Sequence, residues 1–341
     1  MIPKTMKAVC FHRYGSPEEL AVEELPVPEP ADDEVLVKML ASAFSPADAK
    51  GRNGWYSKMF DYEFPRIPGI EMAGMVVKTG KNVGDFKAGD RIIAFGDKRK
   101  GGALAEYCAV KASYCSHAPK HVDLAEVAAI PGYALTVVQA LTEEAHVQKG
   151  DRVLIIGAAG GVGQLGVQMA KYLGAYVIGC DVKECRDEIL QNGADEFVEA
   201  QSPEIFSKFG SDRMDVIFSV ATFTEPVFEQ YMGILKKGGT FVSTVPIKDK
   251  EYSGPDYDGK RGLVSLCLSK EMEQKYAVHC VWMTVQRGTE RLDRAVKLLD
   301  DGAMHPVINR VATLYDYKQI NYDFEAGKLR GRCLILIENH I

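Results

Sequence analysis

The chain has 341 residues, 46% of them hydrophobic and 26% charged, with 41 Lys and Arg against 47 Asp and Glu for a net charge of −6, the composition of an ordinary soluble globular protein. No block of like charge marks a nucleic-acid surface or a polybasic membrane anchor, and no apolar run approaches the roughly 18 residues that cross a bilayer. The opening lacks the apolar core of a signal peptide, so the expected setting is cytoplasmic, with neither nucleic acid nor membrane as partner.

Residues 1 to 124 read as β-rich. Apolar runs at Lys7–Phe11, Glu34–Ala43, Glu71–Thr79, Asp90–Phe95 and Ala105–Val110 are each bounded by Gly, Pro or Asp, with turns rather than helices between them. From 125 the texture changes to alternation: strand Arg152–Ile156, helix Val162–Leu173, strand Tyr176–Cys180, helix Glu184–Asn192, strand Asp215–Val220, helix Glu225–Leu235, strand Thr240–Val245 and a last strand near Ala277–Val281. Gly174 and Gly193 follow two of the helices where a left-handed terminal residue is wanted. Alternation of this kind predicts an α/β fold with a doubly wound parallel sheet over 125–287. Lys248–Gly262 reads as a loop. Beyond it, Leu292, Ala295, Val296 and Leu299 share a helix face that Gly302 closes, and strands near Val307–Val311 and Cys333–Ile337 extend the first domain, which thus comprises 1–124 and 288–341. Eight cysteines stand singly, with no Cys-x-x-Cys, and read as reduced, half-buried residues.

The strand Val153-Leu-Ile-Ile156 runs straight into Gly157-Ala-Ala-Gly-Gly-Val-Gly163, and a helical pattern follows at once. Small residues over Ala159, Gly160 and Gly161 let backbone approach a diphosphate, Gly163 lets helix and strand pack closely, and the N–H groups of Gly161, Val162 and Gly163 stand at the positive end of the helix. Asp181, at the end of the next strand, suits the ribose hydroxyls of NADH, whereas Lys183 and Arg186 just beyond suit the 2′-phosphate of NADPH. The cofactor is therefore NADPH or NADH, the preference open.

Together with Ser45-Pro-Ala-Asp-Ala-Lys50, Pro65-Arg-Ile-Pro-Gly-Ile-Glu-Met-Ala-Gly74, Gly102-Ala-Leu-Ala-Glu-Tyr107, Leu235-Lys-Lys-Gly-Gly239 and Gly327-Lys-Leu-Arg-Gly-Arg332, this turn resembles the medium-chain dehydrogenase/reductase superfamily, in its zinc-free quinone oxidoreductase and enoyl (alkenal) reductase branch. The resemblance covers nearly the whole chain. It implies a GroES-like catalytic domain in two segments around a Rossmann dinucleotide-binding domain, and a homodimer formed through edge strands of the latter.

Zinc-dependent relatives carry a metal-ligating Cys within the Ser45–Lys50 region and a His at the position of Ile70. Pro46, Ala47 and Ile70 have no donor to offer, and Gly96–Gly102 lacks the cysteines of a structural zinc lobe, so no bound metal is expected. His117 and His121 are separated by Pro119 and read as exposed loop histidines rather than a ligand pair. Without a Lewis acid, the chemistry implied is hydride transfer to a conjugated carbonyl (enone or enal) or a quinone, whose product charge is delocalised. The alternatives are an alcohol dehydrogenase or ketone reductase, and a cofactor-binding protein with little catalysis.

The resemblance assigns Lys50 and Tyr56 as catalytic donors, with Asp48 as the cap of the helix carrying Lys50. It also places Thr136, Arg330 and Arg332 beside the cofactor, while Val220, Val242 and Ser243 lie at strand C-termini, where an open α/β sheet takes its ligand. Tyr133 replaces a residue that is usually small, and Ser219 replaces a common Asp. Aromatics at Trp55, Phe60, Tyr62, Tyr252 and Tyr257 hint at a flat or apolar substrate.

Overall fold

The structure, a computed structural model, describes all residues except 58, 60, 201–205, 207–208, 211–212, 248–259 and 338–341, with the backbone alone over 260–264. It divides into two compact units, Met1–Gly132 with Arg287–Ile341, and Tyr133–Gln286. The first crossing between units thus falls later than the change of texture at residue 125.

The first unit is built on a seven-stranded sheet. Its order is Arg310–Thr313, Cys333–Leu336, Glu34–Ala43, Glu71–Thr79, Arg91–Phe95 and Cys115–His117, with Tyr107–Lys111 also pairing on Glu34–Ala43. Glu34–Ala43 is its central strand, hydrogen-bonded to three others and buried along most of its length, which is why its sequence is a nearly continuous apolar run instead of a clean alternation. A separate antiparallel hairpin joins Thr5–Cys10 to Ala21–Pro26. Val9, Phe11, Val35, Val37, Met39, Ile92 and Ile335 belong to one core.

Pro46–Arg52 is the helix expected to hold Lys50 and Thr289–Asp300 carries the expected apolar face, whereas Leu124–Val127 and Tyr317–Glu325 are helices that the apolar pattern does not announce. The first is specified locally, since Ser45 Oγ accepts from Ala47 N–H and Pro46 needs no N–H in the opening turn. The last strand pair is shifted, with Arg310–Thr313 where Val307–Val311 was expected. His117 ends a strand, its ring centroid 5.0 Å from that of Phe86, and both it and His121 are exposed.

The second unit is a six-stranded, all-parallel sheet. Its spatial order is Glu196–Glu199, Tyr176–Asp181, Arg152–Ile156, Met214–Ser219, Leu235–Ser243, His279–Trp282. Direction of progress reverses between Arg152–Ile156 and Met214–Ser219, and the C-terminal ends at such a switch are where an open α/β sheet takes its ligand. Phe223, Phe228, Phe241 and Trp282 form an aromatic cluster on this sheet. Gly174 and Gly193 have φ of +83° and +110°, the left-handed termination expected of them.

Of the expected loop Lys248–Gly262, residues 248–259 lie outside the described residues, with Tyr252 and Tyr257 among them, as does Phe60; residues 260–262 open the helix Lys260–Tyr276. Leu235 begins a strand and does not end a helix. Cysteines 10, 108, 115, 180, 185 and 333 are buried and Cys280 partly so, but Cys267 is exposed. Among the described residues no helix is long and apolar enough to cross a membrane.

Candidate active site

In the second unit, strand Arg152–Ile156 is followed by Gly157 at φ +85°, and the helix Gly161–Tyr172 starts on Gly160 with no side chain capping it. Its first N–H groups are therefore left to an outside acceptor. The glycines are demanded by space. A Cβ on Gly163 would lie 2.0 Å from Gly157 O and 2.7 Å from Ala158 Cα, and one on Gly157 would lie 3.0 Å from Val220 Cγ2. A Cβ on Gly161 would come 2.2 Å from Tyr133 Cε2, so the Tyr133 ring lies directly on the first residue of this helix. Val220 N–H donates to Ile156 O at 3.0 Å, which holds the two strand ends of the switch together.

Asp181 is half-buried at the end of the neighbouring strand. Its Oδ2 accepts from Ala159 N–H at 2.9 Å and its Oδ1 from Val182 N–H at 2.8 Å, so the carboxylate ties the glycine turn to the second strand. Lys183 and Arg186 are exposed just beyond, Arg186 pairing with Asp187 at 3.0 Å. Thr136 is 7% exposed on the helix Pro131–Val138, which runs on into a π-helical turn over Gln139–Glu144. Val242 is fully buried. Ser243 Oγ bonds to Val245 O at 2.8 Å and Ser219 O at 3.3 Å, and Ser219 Oγ to Ala221 O at 3.1 Å, so these hydroxyls stiffen the strand ends.

In the first unit, the helix Pro46–Arg52 is anchored at its end by Arg52, 1% exposed, whose guanidinium reaches Gly15 O and Glu325. The chain then turns at Asn53, whose Oδ1 accepts from Trp55 N–H at 3.1 Å, and at Gly54, φ +84°. This turn brings Trp55 back over the helix, the exposed Lys50 Nζ lying 5.2 Å from its ring centroid, and presents Tyr56 half-buried. Lys98 Nζ lies 4.5 Å over the Tyr56 ring. Lys98 is placed there by Arg66, whose guanidinium donates to the carbonyls of Lys98, Arg99 and Lys100 and packs 4.0 Å from the Tyr62 ring. Burial, and next the Arg287 charge, hold the Lys98 ammonium below its ordinary range. Tyr56 thus sits with a partly desolvated cation on its ring and Lys50 close enough to Lys98 to lower it further. Sequence reasoning missed Lys98; the only signal was a basic residue in the loop where zinc relatives carry their lobe.

Two assignments change. Asp48 does not cap the helix, since Ser45 does that work. It stands in the first turn and accepts from Gly69 N–H at 3.0 Å, with Oδ2 buried and accepting no hydrogen bond. Burial pushes its carboxyl up to about 7, with a further rise from Glu71 and a fall from the Gly69 bond. Arg332 is 2% exposed and belongs to the core of the first unit: its Nη2 meets Glu71 Oε1 at 2.9 Å and its Nη1 and Nε donate to Phe44 O and Ala129 O. Arg330 is the exposed cation of the closing motif. Ile70 is buried.

Two family models match the chain, the alcohol dehydrogenase GroES-like domain over residues 31–120 and the zinc-binding dehydrogenase domain over 161–253. A chloroplast envelope quinone oxidoreductase homolog of Arabidopsis thaliana is 35% identical over 318 residues, 91% of this chain and 92% of that protein. An NADPH-dependent alkenal/one oxidoreductase of the same plant is 33% identical over 251 residues, 71% of this chain and 63% of that one. The chain spans just under two thirds, 62–64%, of the length of three of the plant relatives it matches. The solved quinone oxidoreductase of Coxiella burnetii shares the fold at TM-score 0.83 and 24% identity, over 98% of this chain and all of that one. A GroES-like unit interrupted by a Rossmann-type unit defines the class. The chain belongs to the medium-chain dehydrogenase/reductase superfamily, in its quinone oxidoreductase branch.

Proposed function

We propose that the protein is an NAD(P)H-dependent reductase that adds hydride to an α,β-unsaturated carbonyl, an enone or enal, or to a quinone, without a catalytic metal. The observation that carries this is the phenol of Tyr56 set beside Lys98 and Lys50, in a unit where Pro46, Ala47 and Ile70 offer no ligand at the metal positions of zinc relatives. The names of the two Arabidopsis relatives support the substrate class and NADPH as a cofactor.

Backbone fits the dinucleotide: glycine at 163 lets the helix start tight against Gly157 and Ala158, and the N–H groups there, with no side-chain cap, suit a diphosphate. The nicotinamide supplies the hydride when bound. Charge left on the substrate oxygen is spread over an enolate or phenolate, which donors and cations stabilise without a Lewis acid. Tyr56 donates to that oxygen, and Lys98 and Lys50 hold positive charge beside it. Lys98 above the ring also makes the phenol a better donor.

Chelator-treated enzyme should oxidise NADPH or NADH with an enone or a quinone and leave a simple ketone untouched, followed by the absorbance of the reduced nicotinamide. Turnover of the ketone alone, lost with chelator, would identify an alcohol dehydrogenase. Tight cofactor binding with no turnover on any of the three would identify a binding protein. The same reading takes the protein as a homodimer through an edge strand of the second unit, which light scattering of the eluting protein tests by mass.

A further inference from the structure

The hairpin at the start of the first unit gathers side chains for which the reductase reading has no use. Val9 and Phe11 are core residues, and the two-residue period of an extended strand turns Cys10 and His12 to the opposite face. Across the hairpin, Ala8 pairs with Glu23 and Cys10 with Ala21. Directly opposed residues share a face, so Glu23 stands on the Cys10 side, diagonal to it. A thiol, an imidazole and a carboxylate therefore converge: one ligand atom from each of Cys10, His12 and Glu23 lies within 4.8 Å of the other two, and His12 Nε2 is 3.1 Å from both Glu23 oxygens. Among the described residues this is the one group of three or more His, Cys, Asp and Glu side chains that meets in this way.

We propose that Cys10, His12 and Glu23 bind a single divalent ion of the zinc type. Sulfur, nitrogen and oxygen in one place are the donors Zn²⁺ accepts, at about 2.3, 2.0–2.1 and 2.0–2.2 Å, with water in the fourth tetrahedral position. Such bonds hold ligand atoms roughly 3.3–3.6 Å apart, so rotamer adjustment of His12 and Glu23 completes the site while the strands keep their register. Access follows from burial: the His12 and Glu23 side chains are 58% and 36% exposed and Cys10 lies beneath them. Mg²⁺ and Ca²⁺, which call for six or more oxygens, find a single carboxylate here.

Charge and protons balance. Burial, then the Glu23 charge, push the Cys10 thiol up to about 12, so the metal-free protein carries S–H. Binding releases that proton to water, forms the metal–sulfur bond, and sets one thiolate and one carboxylate against the two charges of the ion.

Titration of the full-length, chelator-washed protein with Co²⁺, a spectroscopic stand-in for Zn²⁺, tests the site without reference to catalysis. One equivalent should bind with thiolate-to-cobalt charge-transfer absorption, and Zn²⁺ should displace it. Cys10→Ser should abolish the band. His12→Ala and Glu23→Gln should each weaken Zn²⁺ binding by about tenfold or more, the loss that even an outer-shell partner of a metal site carries. His12 is exposed, so its variant keeps the test open if Cys10→Ser fails to fold. No charge-transfer band, a band that survives Cys10→Ser and so belongs to another thiol such as the exposed Cys267, or unchanged Zn²⁺ affinity in His12→Ala would overturn the assignment.

Discussion

Both carboxylate oxygens of Asp181 receive a backbone N–H, one from the glycine turn and one from the residue after it. Its first duty is thus to hold the turn, a task both dinucleotides need. Asp181→Ala should raise Kd for NADH and NADPH by similar factors, about tenfold, which is ~1.4 kcal/mol. Fluorescence titration of each cofactor checks this, and a loss confined to NADH would mean that ribose recognition dominates. In the proposed reaction Tyr56 and Lys98 serve the chemical step instead. Tyr56→Phe should lower kcat about 10²-fold, the low end of what a positioned proton donor contributes. Lys98→Met should lower it by about tenfold through loss of the charge beside the developing oxyanion. In both variants the Kd for the dinucleotide stays that of the native enzyme, and a parallel weakening of cofactor binding would move these residues out of the catalytic role.

At the scale of elements, the helix Pro46–Arg52 carries a carboxyl whose ionisation the fold opposes by burial. Asp48 ionises near pH 3.9 in an unfolded chain but at about 7 in place. Between these values the folded state holds a proton that the unfolded state has released, so the stability contributed is full below about pH 4 and is lost as pH rises through 7. Asp48→Asn, which does not titrate, should therefore compare more favourably with the native protein at pH 8 than at pH 5, by about 2–3 kcal/mol. Urea unfolding at the two pH values measures it, and an unchanged pH slope in the variant would rule the carboxyl out as the cause. Elements with a strong periodic signal are legible in the sequence. Glu34–Ala43 and Glu71–Thr79 match their apolar runs, and the turn at Gly157–Gly163 matches its glycines, because burial or backbone space dictates each residue. Ala21–Pro26 is not, since its exposed hairpin position needs no apolar alternation. Pro131–Val138 is apolar on every side and has no period to read. The short helix Tyr317–Glu325 is fixed by the packing of Tyr317 and Ile320 more than by propensity. In the site the same division holds: the glycine turn is local and visible in the sequence, whereas Lys98 over Tyr56 depends on a loop held by Arg66, and the raised carboxyl of Asp48 on burial.

For the molecule as a whole, the first unit has to be closed from two chain segments, Met1–Gly132 and Arg287–Ile341, and strand pairing of Cys333–Leu336 with Glu34–Ala43 supplies part of that closure. Arg332, one residue before that strand, supplies a second and more specific part. Its guanidinium is shared among Phe44 O at 2.8 Å, Ala129 O at 2.7 Å and Glu71 Oε1 at 2.9 Å, while Glu71 Oε2 accepts from Gly132 N–H at 2.9 Å. Both partners are essentially excluded from water, at 2% and 1% exposure. Removing one half of such a pair leaves an uncompensated buried charge, which is worse than removing both. Arg332→Met should therefore destabilise the first unit by about 3–5 kcal/mol, and the double variant Glu71→Gln with Arg332→Met should recover part of the loss. Denaturant unfolding of the two variants, with amide exchange over Arg310–Thr313 and Cys333–Leu336 to localise the effect, checks the direction: the single variant opens these paired strands first. If the double variant proved less stable than Arg332→Met alone, the carbonyl contacts at Phe44 and Ala129 would outweigh the ion pair as the means by which the C-terminal segment is held.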